Sequence, residues 1–183
     1  MAGGSAPLAT RHTLHLAFDH LEPSQWKIAV QFYKAHYLEG ARLNKAHYLE
    51  GARLERPSRT LGDEVFVLRV PAGANSGAVV AAVRLTFQSA MDATCLHCLA
   101  VDRQLRRQGA ASQLVAALVD SGVLGTSTCF CFAHAHLEEF YRRYGFETVP
   151  VTQTNAAAGA GVHRMVLEFF RREQARRPTL GLM

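Results

Sequence analysis

Short apolar runs and helically spaced apolar positions alternate along this chain, and they predict an α/β protein. Seven apolar runs are of strand length: residues 14–18, 64–70, 78–87, 94–101, 126–133, 147–152 and 163–170. Apolar positions at helical spacing predict helices at about 23–33, 109–119 and 137–144. The strand-helix-strand order in the middle predicts a parallel pair with a right-handed crossover. The predicted fold is a mixed, mostly antiparallel sheet of about seven strands with helices on its faces.

A tandem repeat interrupts this pattern. Residues 34–43 (KAHYLEGARL) recur unchanged as residues 45–54, eleven positions later. Eleven residues make close to three helical turns, so a helix could absorb the insertion with little change of face. Gly40 and Gly51 oppose a continuous helix. Two interpretations stay open: a duplication accommodated on the surface, or a remodelled wall of a ligand pocket.

Composition adds limits to this picture. The chain has 183 residues, 49% of them hydrophobic, which fits one domain with a substantial core. We expect a flexible N-terminus at 1–12, a single domain at 13–170 and a basic tail at 171–183. The formal charge of +5 suits any polyanion and does not choose among them. No signal-like N-terminus and no membrane-length apolar run is present, so we expect a cytoplasmic protein.

The four cysteines, Cys95, Cys98, Cys129 and Cys131, raise the question of a zinc site. Residues three apart on a strand point to opposite faces, so Cys95 and Cys98 should not chelate one ion. A structural zinc site usually places such a pair on a turn. We therefore expect no metal and four reduced, buried thiols.

The segment after the strand predicted at 94–101 carries the strongest chemical signal. The N–H groups at the start of the following helix lack internal partners, and the helix dipole favours an anion there. Arg106 and Arg107 add charge-assisted donors, and Gly109 lets a ligand approach the backbone. The P-loop and dinucleotide patterns are absent. The segment predicts a diphosphate site, with an ordinary loop of solvated arginines as the alternative.

Two motifs carry a family resemblance. Residues 106–111 (RRQGAA) resemble the R/Q-x-x-G-x-G/A signature of the GNAT N-acetyltransferase superfamily, and residues 140–146 (FYRRYGF) resemble its second signature. The resemblance covers about residues 13–170. It implies a splayed parallel strand pair and an acetyl-CoA-dependent enzyme, in which a primary amine attacks the thioester directly. The coenzyme A contacts that it implies are Leu99, Ala100, Val101, Arg106, Arg107, Gln108, Gly109, Ala110, Ala111, His134 (where many members carry asparagine) and Tyr141.

The resemblance also implies catalytic residues. Tyr141 matches the family tyrosine that commonly protonates the leaving thiolate. Residues 95–101 (CLHCLAV) are similar to the H-L-H-x-L-A-V strand of serotonin N-acetyltransferases, so His97 is the implied base. Strand alternation predicts that His97 shares a face with Leu99 and Val101. A packed histidine bonded to a backbone carbonyl is the alternative.

The acceptor is the least determined part. In this family the first helix and the loop after it wall the acceptor site, so Trp26, Tyr33 and Tyr37 are candidate substrate contacts. We expect a small-molecule or peptide amine, no nucleic acid and no membrane, and a homodimer stays open. Two other functions remain as alternatives: a catalytically inactive acyl-CoA-binding domain, and a nucleic-acid module using the arginines of residues 171–177, which lack interleaved aromatics.

Overall fold

One six-stranded sheet organises the protein. The computed structural model describes residues 16–36, 62–71, 77–89, 92–125 and 127–149, with 166, 168, 170, 171, 174, 175 and 180–183. The strands are β1 (Ala17–His20), β2 (Asp63–Arg69), β3 (Val79–Gln88), β4 (Ala93–Val101), β5 (Thr128–His134) and β6 (Leu180–Leu182). The α-helices with defined bounds are α1 (Trp26–His36), α2 (Ala110–Asp120) and α3 (Glu138–Arg142). The expectations for residues 1–12, and for the duplication beyond residue 36, lie outside the described residues.

The strands lie in the sheet in their order along the chain. All neighbouring pairs are antiparallel except β4 and β5, which are parallel and are joined by the α2 crossover. The mixed, mostly antiparallel sheet predicted from the sequence is therefore confirmed. The described residues contain six strands, where about seven were predicted.

The strand predicted at 163–170 is wrong, and the strand predicted at 147–152 lies partly outside the described residues. Residues 147–149 are irregular, although Val149 donates its N–H to the carbonyl of Leu182 at 3.0 Å. Val166, Glu168 and Phe170 are helical. Val166 and Phe170 are four residues apart and both buried, so they lie on one helix face and pack in the same cluster. The short apolar run at 163–170 fitted both periods, and the strand was the wrong choice.

The chain end also differs from expectation. Residues 171–183 were predicted to be a basic tail, but β6 (Leu180–Leu182) completes the sheet beside β5. Cys131 and Met183 exchange two backbone hydrogen bonds of 2.7 and 2.9 Å. Leu182 is 1% exposed, so the end of the chain belongs to the domain core.

The two sheet faces are covered by different helices. α2 and α3 cover one face, where Leu114, Leu118 and Phe146 pack on the sheet. α1 covers the other, burying Trp26 and Ala29 among other side chains. Apolar burial of this kind contributes about 25 cal/mol per Å² and is the main term that holds the layers together. In the described parts of the chain, no helix has both the length and the apolar character that crossing a membrane would require.

A bulge in β4 decides which way its side chains point. Ala82 pairs with Ala100, while Arg84 pairs with His97, so β4 carries one residue more than β3 here. Cys98 lies in this bulge with a φ of 55°. Because the extra residue resets the alternation, Cys98 and Ala100 face α1 rather than the α2 side.

The bulge corrects one prediction about His97. Leu99 and Val101 pack on the α2 side of the sheet. His97 contacts Thr86 and Cys98 on the α1 side. His97 therefore does not share a face with Leu99 and Val101, because simple strand alternation fails across an inserted residue.

Candidate functional site

β4 and β5 separate halfway along their length. Their parallel pairing runs from Ala93 and Thr128 to Leu96 and Cys131. Beyond that point β5 pairs with β6, whereas β4 pairs with β3 alone. The result is an opening between the two strands, the β4–β5 gap, which widens toward the N-terminus of α2.

Two backbone N–H groups of β4 are directed into this gap. Asp102 donates its N–H to the carbonyl of Val80 on β3 at 2.8 Å. Donors alternate along an antiparallel ladder, so the N–H groups of Leu99 and Val101 point the other way, toward the β4–β5 gap. The N–H of Ala100 points toward β3, and its side chain is 5% exposed, so its predicted coenzyme A contact stays a prediction.

The loop from β4 to α2, residues 102–109 (the diphosphate loop), is held by its own polar groups. Asp102 accepts a hydrogen bond of 2.8 Å from the N–H of Gln104, at the start of the 3-10 turn Arg103–Leu105. The amide of Gln108 donates to the carbonyl of Gln104 at 2.7 Å. The side chain of Gln108, a predicted cofactor contact, thus stabilises the loop from within.

The end of the diphosphate loop forms a concave set of backbone donors. Arg107 and Gly109 have φ values of 62° and 89°, and no atom lies within 4 Å of a Cβ added at Gly109. The first helical bond of α2 runs from Gln113 to the carbonyl of Gly109. The N–H groups of Ala110 and Ala111 precede that bond and have no intrahelical partner. Successive donors of this kind form an anion-binding nest.

Arg106 connects the diphosphate loop to α1. Its Nη2 donates to the carbonyl of His36 at 2.6 Å, and its Nε donates to the carbonyl of Val101 at 3.3 Å. Nε2 of His36 lies 3.7 Å from a carboxylate oxygen of Asp102. The guanidinium is exposed, so it stands beside the nest while holding two carbonyls.

His97 belongs to a chain of polar side chains on the α1 side of the sheet. Its Nε2 lies 2.7 Å from Oγ1 of Thr86, which donates to Oδ1 of Asp63 at 2.5 Å. Arg84 donates to the other oxygen of the same carboxylate. Asp63, Arg84 and Thr86 are each less than 9% exposed. Thr86 contacts the predicted base directly, and Asp63 and Arg84 are linked to it through Thr86.

The hydrogen bonds assign the protonation of His97. A carboxylate only accepts hydrogen bonds, so the hydroxyl of Thr86 donates its one proton to Asp63. The hydroxyl oxygen must then accept a hydrogen bond from His97. His97 is therefore protonated on Nε2, and its Nδ1 is an acceptor, 3.5 Å from Sγ of Cys98. Burial and the nearby Arg84 lower the pKa of His97 from 6.5 to about 4, against an opposing effect of Asp63. The ring is neutral at physiological pH.

Tyr141 lies on α3, packed into the core on the α2 side. It is 6% exposed and makes edge contacts with the rings of Phe140 and Phe146. Burial, together with the nearby Cys131 and Cys129, raises the pKa of Tyr141 well above 10. The phenol therefore stays protonated and has a proton to donate.

The sheet divides the cysteines into two pairs. Because of the bulge, Cys98 lies on the same side as Cys95, which pairs with Thr86, so the two cysteines do not point to opposite faces as expected. Cys129 and Cys131 lie on the opposite side. Burial raises the pKa of Cys129 to about 12 and raises the pKa of Cys95 and Cys131 further. In the described ranges, no cluster of three or more potential metal ligands occurs.

A cavity of about 670 Å³ lies at the other end of β4 from the diphosphate loop. Its lining includes the aromatic rings of His20, Trp26 and Phe87. The carboxylates of Glu64 and Asp92, both exposed, line it as well. Aromatic walls beside carboxylates favour an organic cation, because both groups attract positive charge.

The remaining predicted site residues are dispersed. Trp26 lines the cavity, whereas Tyr33 is 2% exposed within the core under α1, so the role predicted for Tyr33 as a pocket wall is not supported. Tyr37 lies outside the described residues. His134 ends β5 half-buried, with its ring stacked on His136 at 5.7 Å.

Sequence reasoning missed Asp63, Arg84 and Thr86. A signal was present for two of them, because Arg84 and Thr86 interrupt the apolar run VVAAVRLTFQ, whereas Asp63 is the first residue of DEVFVLR. Buried polar side chains need partners. Their grouping around His97 depends on strand register, which the sequence alone did not give.

A family model independently matches the central part of the chain. The model described as "Acetyltransferase (GNAT) domain" matches residues 69–169, which include both signature motifs. A comparison with curated protein sequences finds no match.

Solved structures share the fold. A putative N-acetyltransferase from Lactobacillus plantarum has a TM-score of 0.56 at 15% identity, over 74% of this chain and 86% of that chain. A putative acyl-CoA N-acyltransferase from Klebsiella pneumoniae has a TM-score of 0.54 at 15% identity, over 93% and 96%. N-acetylglutamate synthase from Neisseria gonorrhoeae, complexed with coenzyme A and N-acetyl-glutamate, has a TM-score of 0.52 at 15% identity, over 91% and 34%. At these identities the likeness concerns the fold.

Proposed function

The chain belongs to the GNAT acetyltransferase family, and from this premise we propose that it is an acetyl-CoA-dependent N-acetyltransferase acting on a primary amine. The observation that carries the proposal is the β4–β5 gap, which opens beside the backbone nest at Gly109. A gap lined by strand N–H groups and a nest for phosphates suit the thioester and the diphosphate of one long cofactor.

Several parts of the chain would hold acetyl-CoA. The N–H groups of Ala110 and Ala111 would bind the diphosphate, with Arg106 and Arg107 neutralising its charge. The N–H groups of Leu99 and Val101 would face the thioester in the β4–β5 gap. When bound, acetyl-CoA supplies an activated acetyl group.

His97 is proposed as the proton acceptor. Its neutral ring and the lone pair on Nδ1 suit a base. A pKa of about 4 is too low to deprotonate a free alkylammonium before attack. The acceptor therefore loses its first proton to solvent and attacks as the neutral amine. Its nitrogen becomes far more acidic as the new C–N bond forms, and His97 can accept the second proton at that stage.

Tyr141 is proposed to stabilise the leaving sulfur. Its pKa lies above that of an ordinary thiol, so complete proton transfer to a thiolate is uphill. Donation of a hydrogen bond to the developing thiolate does not require transfer and lowers its energy. The low dielectric of the protein interior strengthens that hydrogen bond.

The cavity beside Trp26 is the proposed entrance for the acceptor. It lies at the N-terminal end of β4, whereas the diphosphate loop follows the C-terminal end. Two substrates entering from opposite ends can meet near the bulge without competing for space. The carboxylates of Glu64 and Asp92 would attract a cationic amine.

A thiol-release assay with an amine panel tests the proposal. The protein is mixed with acetyl-CoA and alkyl, arylalkyl, polyamine and peptide amines, and the acetylated product is identified by mass spectrometry. Amine-dependent thiol release with a matching product is the expected result. Saturable acetyl-CoA binding without turnover on any amine would instead support an inactive acyl-CoA-binding domain.

A further inference from the structure

His97 does not stand alone, because two buried side chains beyond it fix its orientation. Thr86 and Asp63 form a linear series with His97, joined by contacts of 2.7 and 2.5 Å. The three residues come from the adjacent strands β4, β3 and β2, and the register places Thr86 directly opposite Asp63. A rigid sheet therefore sets all three positions.

We propose that Thr86 and Asp63 are positioning residues, which hold His97 in the Nε2–H tautomer and leave Nδ1 as the proton acceptor. The catalytic use of this tautomer rests on the proposed acetyltransferase function, but the tautomer itself does not. The opposite tautomer would place a proton on Nδ1 and leave His97 unable to accept one there.

The direction of the series follows from donor counting. Asp63 accepts from Arg84 and from Thr86, so the single hydroxyl proton of Thr86 is committed. The remaining lone pairs of Thr86 accept the Nε2 proton of His97. If His97 changed tautomer, Nε2 would face the hydroxyl oxygen as a second acceptor, and the buried contact would lose its hydrogen bond.

Arg84 distinguishes this series from an isolated Asp-His pair, because it offsets the charge of the carboxylate. Its guanidinium offsets the charge of Asp63, with both side chains at most 8% exposed. The carboxylate therefore orients His97 through Thr86 without making the imidazolium form favourable. Burial and Arg84 both act to keep the ring neutral.

Nitrogen-15 NMR of the imidazole rings tests the assignment on the wild-type protein. The chain has nine histidines, and the signals of His97 are identified by their loss in His97→Gln. We expect Nε2 to carry the proton and Nδ1 to be unprotonated near neutral pH. A proton on Nδ1 in the wild-type protein would overturn the proposal, whatever any variant does.

Replacement of Thr86 tests its role. Thr86→Val keeps the shape of the side chain and removes the hydroxyl, so we expect a mixture of tautomers. Thr86→Ser restores a hydroxyl and should restore the single tautomer. Thr94→Val is the matched control, because Thr94 is also a buried strand threonine, and it should leave the tautomer of His97 unchanged.

Kinetics supply the second readout. We expect Thr86→Val to lower kcat by about tenfold to a hundredfold, part of what a general base contributes, with little change in KM for acetyl-CoA. An unchanged tautomer and an unchanged kcat in a folded Thr86→Val would contradict the proposal. A wild-type protein with the expected tautomer but no turnover would contradict the proposed function and leave the tautomer assignment standing.

Discussion

Nη2 of Arg106 lies 2.6 Å from the carbonyl oxygen of His36, so the diphosphate loop is hydrogen-bonded to the last residue of α1. The final carbonyls of a helix lack internal partners, and a cation there also complements the helix dipole. The contact joins the proposed cofactor site to the helix in whose last turn the duplicated segment begins. Arg106 thus has a structural partner as well as a proposed ligand.

Loss of this guanidinium should weaken cofactor binding. We expect Arg106→Ala to raise the acetyl-CoA Kd by about tenfold, the effect of losing one charge-assisted hydrogen bond. Calorimetric titration measures it. Arg143→Ala removes an arginine directly after α3 whose side chain is 66% exposed, and it is the matched control. Equal Kd values for the two variants would show that Arg106 binds the carbonyl of His36 and does not bind the cofactor.

Acid should destabilise the protein partly through His97. Its pKa is 6.5 when unfolded and about 4 when folded, so below pH 6.5 the unfolded chain binds a proton that the folded chain does not. Stability therefore falls as pH decreases from 6.5 to about 4, by on the order of 3 kcal/mol. Urea unfolding of wild type and His97→Gln across that range measures it. Parallel curves for the two proteins would refute this contribution.

The hydroxyl of Tyr141 should matter to turnover and not to binding. Tyr141→Phe keeps the buried ring, so we expect kcat to fall by about tenfold to a hundredfold while the acetyl-CoA Kd stays the same. Tyr144→Phe is the control, because its hydroxyl donates to the carbonyl of Ser112 at 3.2 Å. A drop in affinity for Tyr141→Phe, with kcat retained, would assign the hydroxyl to binding.

The C-terminal strand should be required for stability. Leu182 is buried in β6, so Leu182→Ala should cost about 2–5 kcal/mol of unfolding free energy. Ile28→Ala removes a side chain that is 38% exposed on α1 and should cost much less. Denaturant unfolding compares the two. Equal costs would mean that the last residues are the tail that the sequence suggested.

The sequence predicted those elements in which the apolar residues recur with one clear period. β2, β3, β4 and α2 lie within about two residues of their predicted positions because long apolar runs and a helical stripe admit one assignment. The segment at 163–170 failed because five apolar residues in eight fit either period. β6 is three residues long and follows an arginine-rich stretch, so only its pairing with β5 identifies it.

The sequence predicted the part of the site that is built from backbone N–H groups. Gly109 and the start of α2 were expected to form an anion nest, and the positive φ of Gly109 agrees with that geometry. The surroundings of His97 were not predictable, because one bulge residue, Cys98, moves it to the α1 side. Partners such as Thr86 come from distant positions that only the strand register brings together.

Acetyl-CoA titration of Gly109→Asp against Gly122→Asp tests whether the nest at Gly109 binds the cofactor. Both glycines have positive φ and open space around the added Cβ, and they stand at opposite ends of α2, so strain and charge are matched. We expect wild type and Gly122→Asp to bind acetyl-CoA similarly, and Gly109→Asp to bind at least about tenfold more weakly. Equal affinities for the two variants, or no binding by the wild-type protein, would contradict a cofactor site at Gly109.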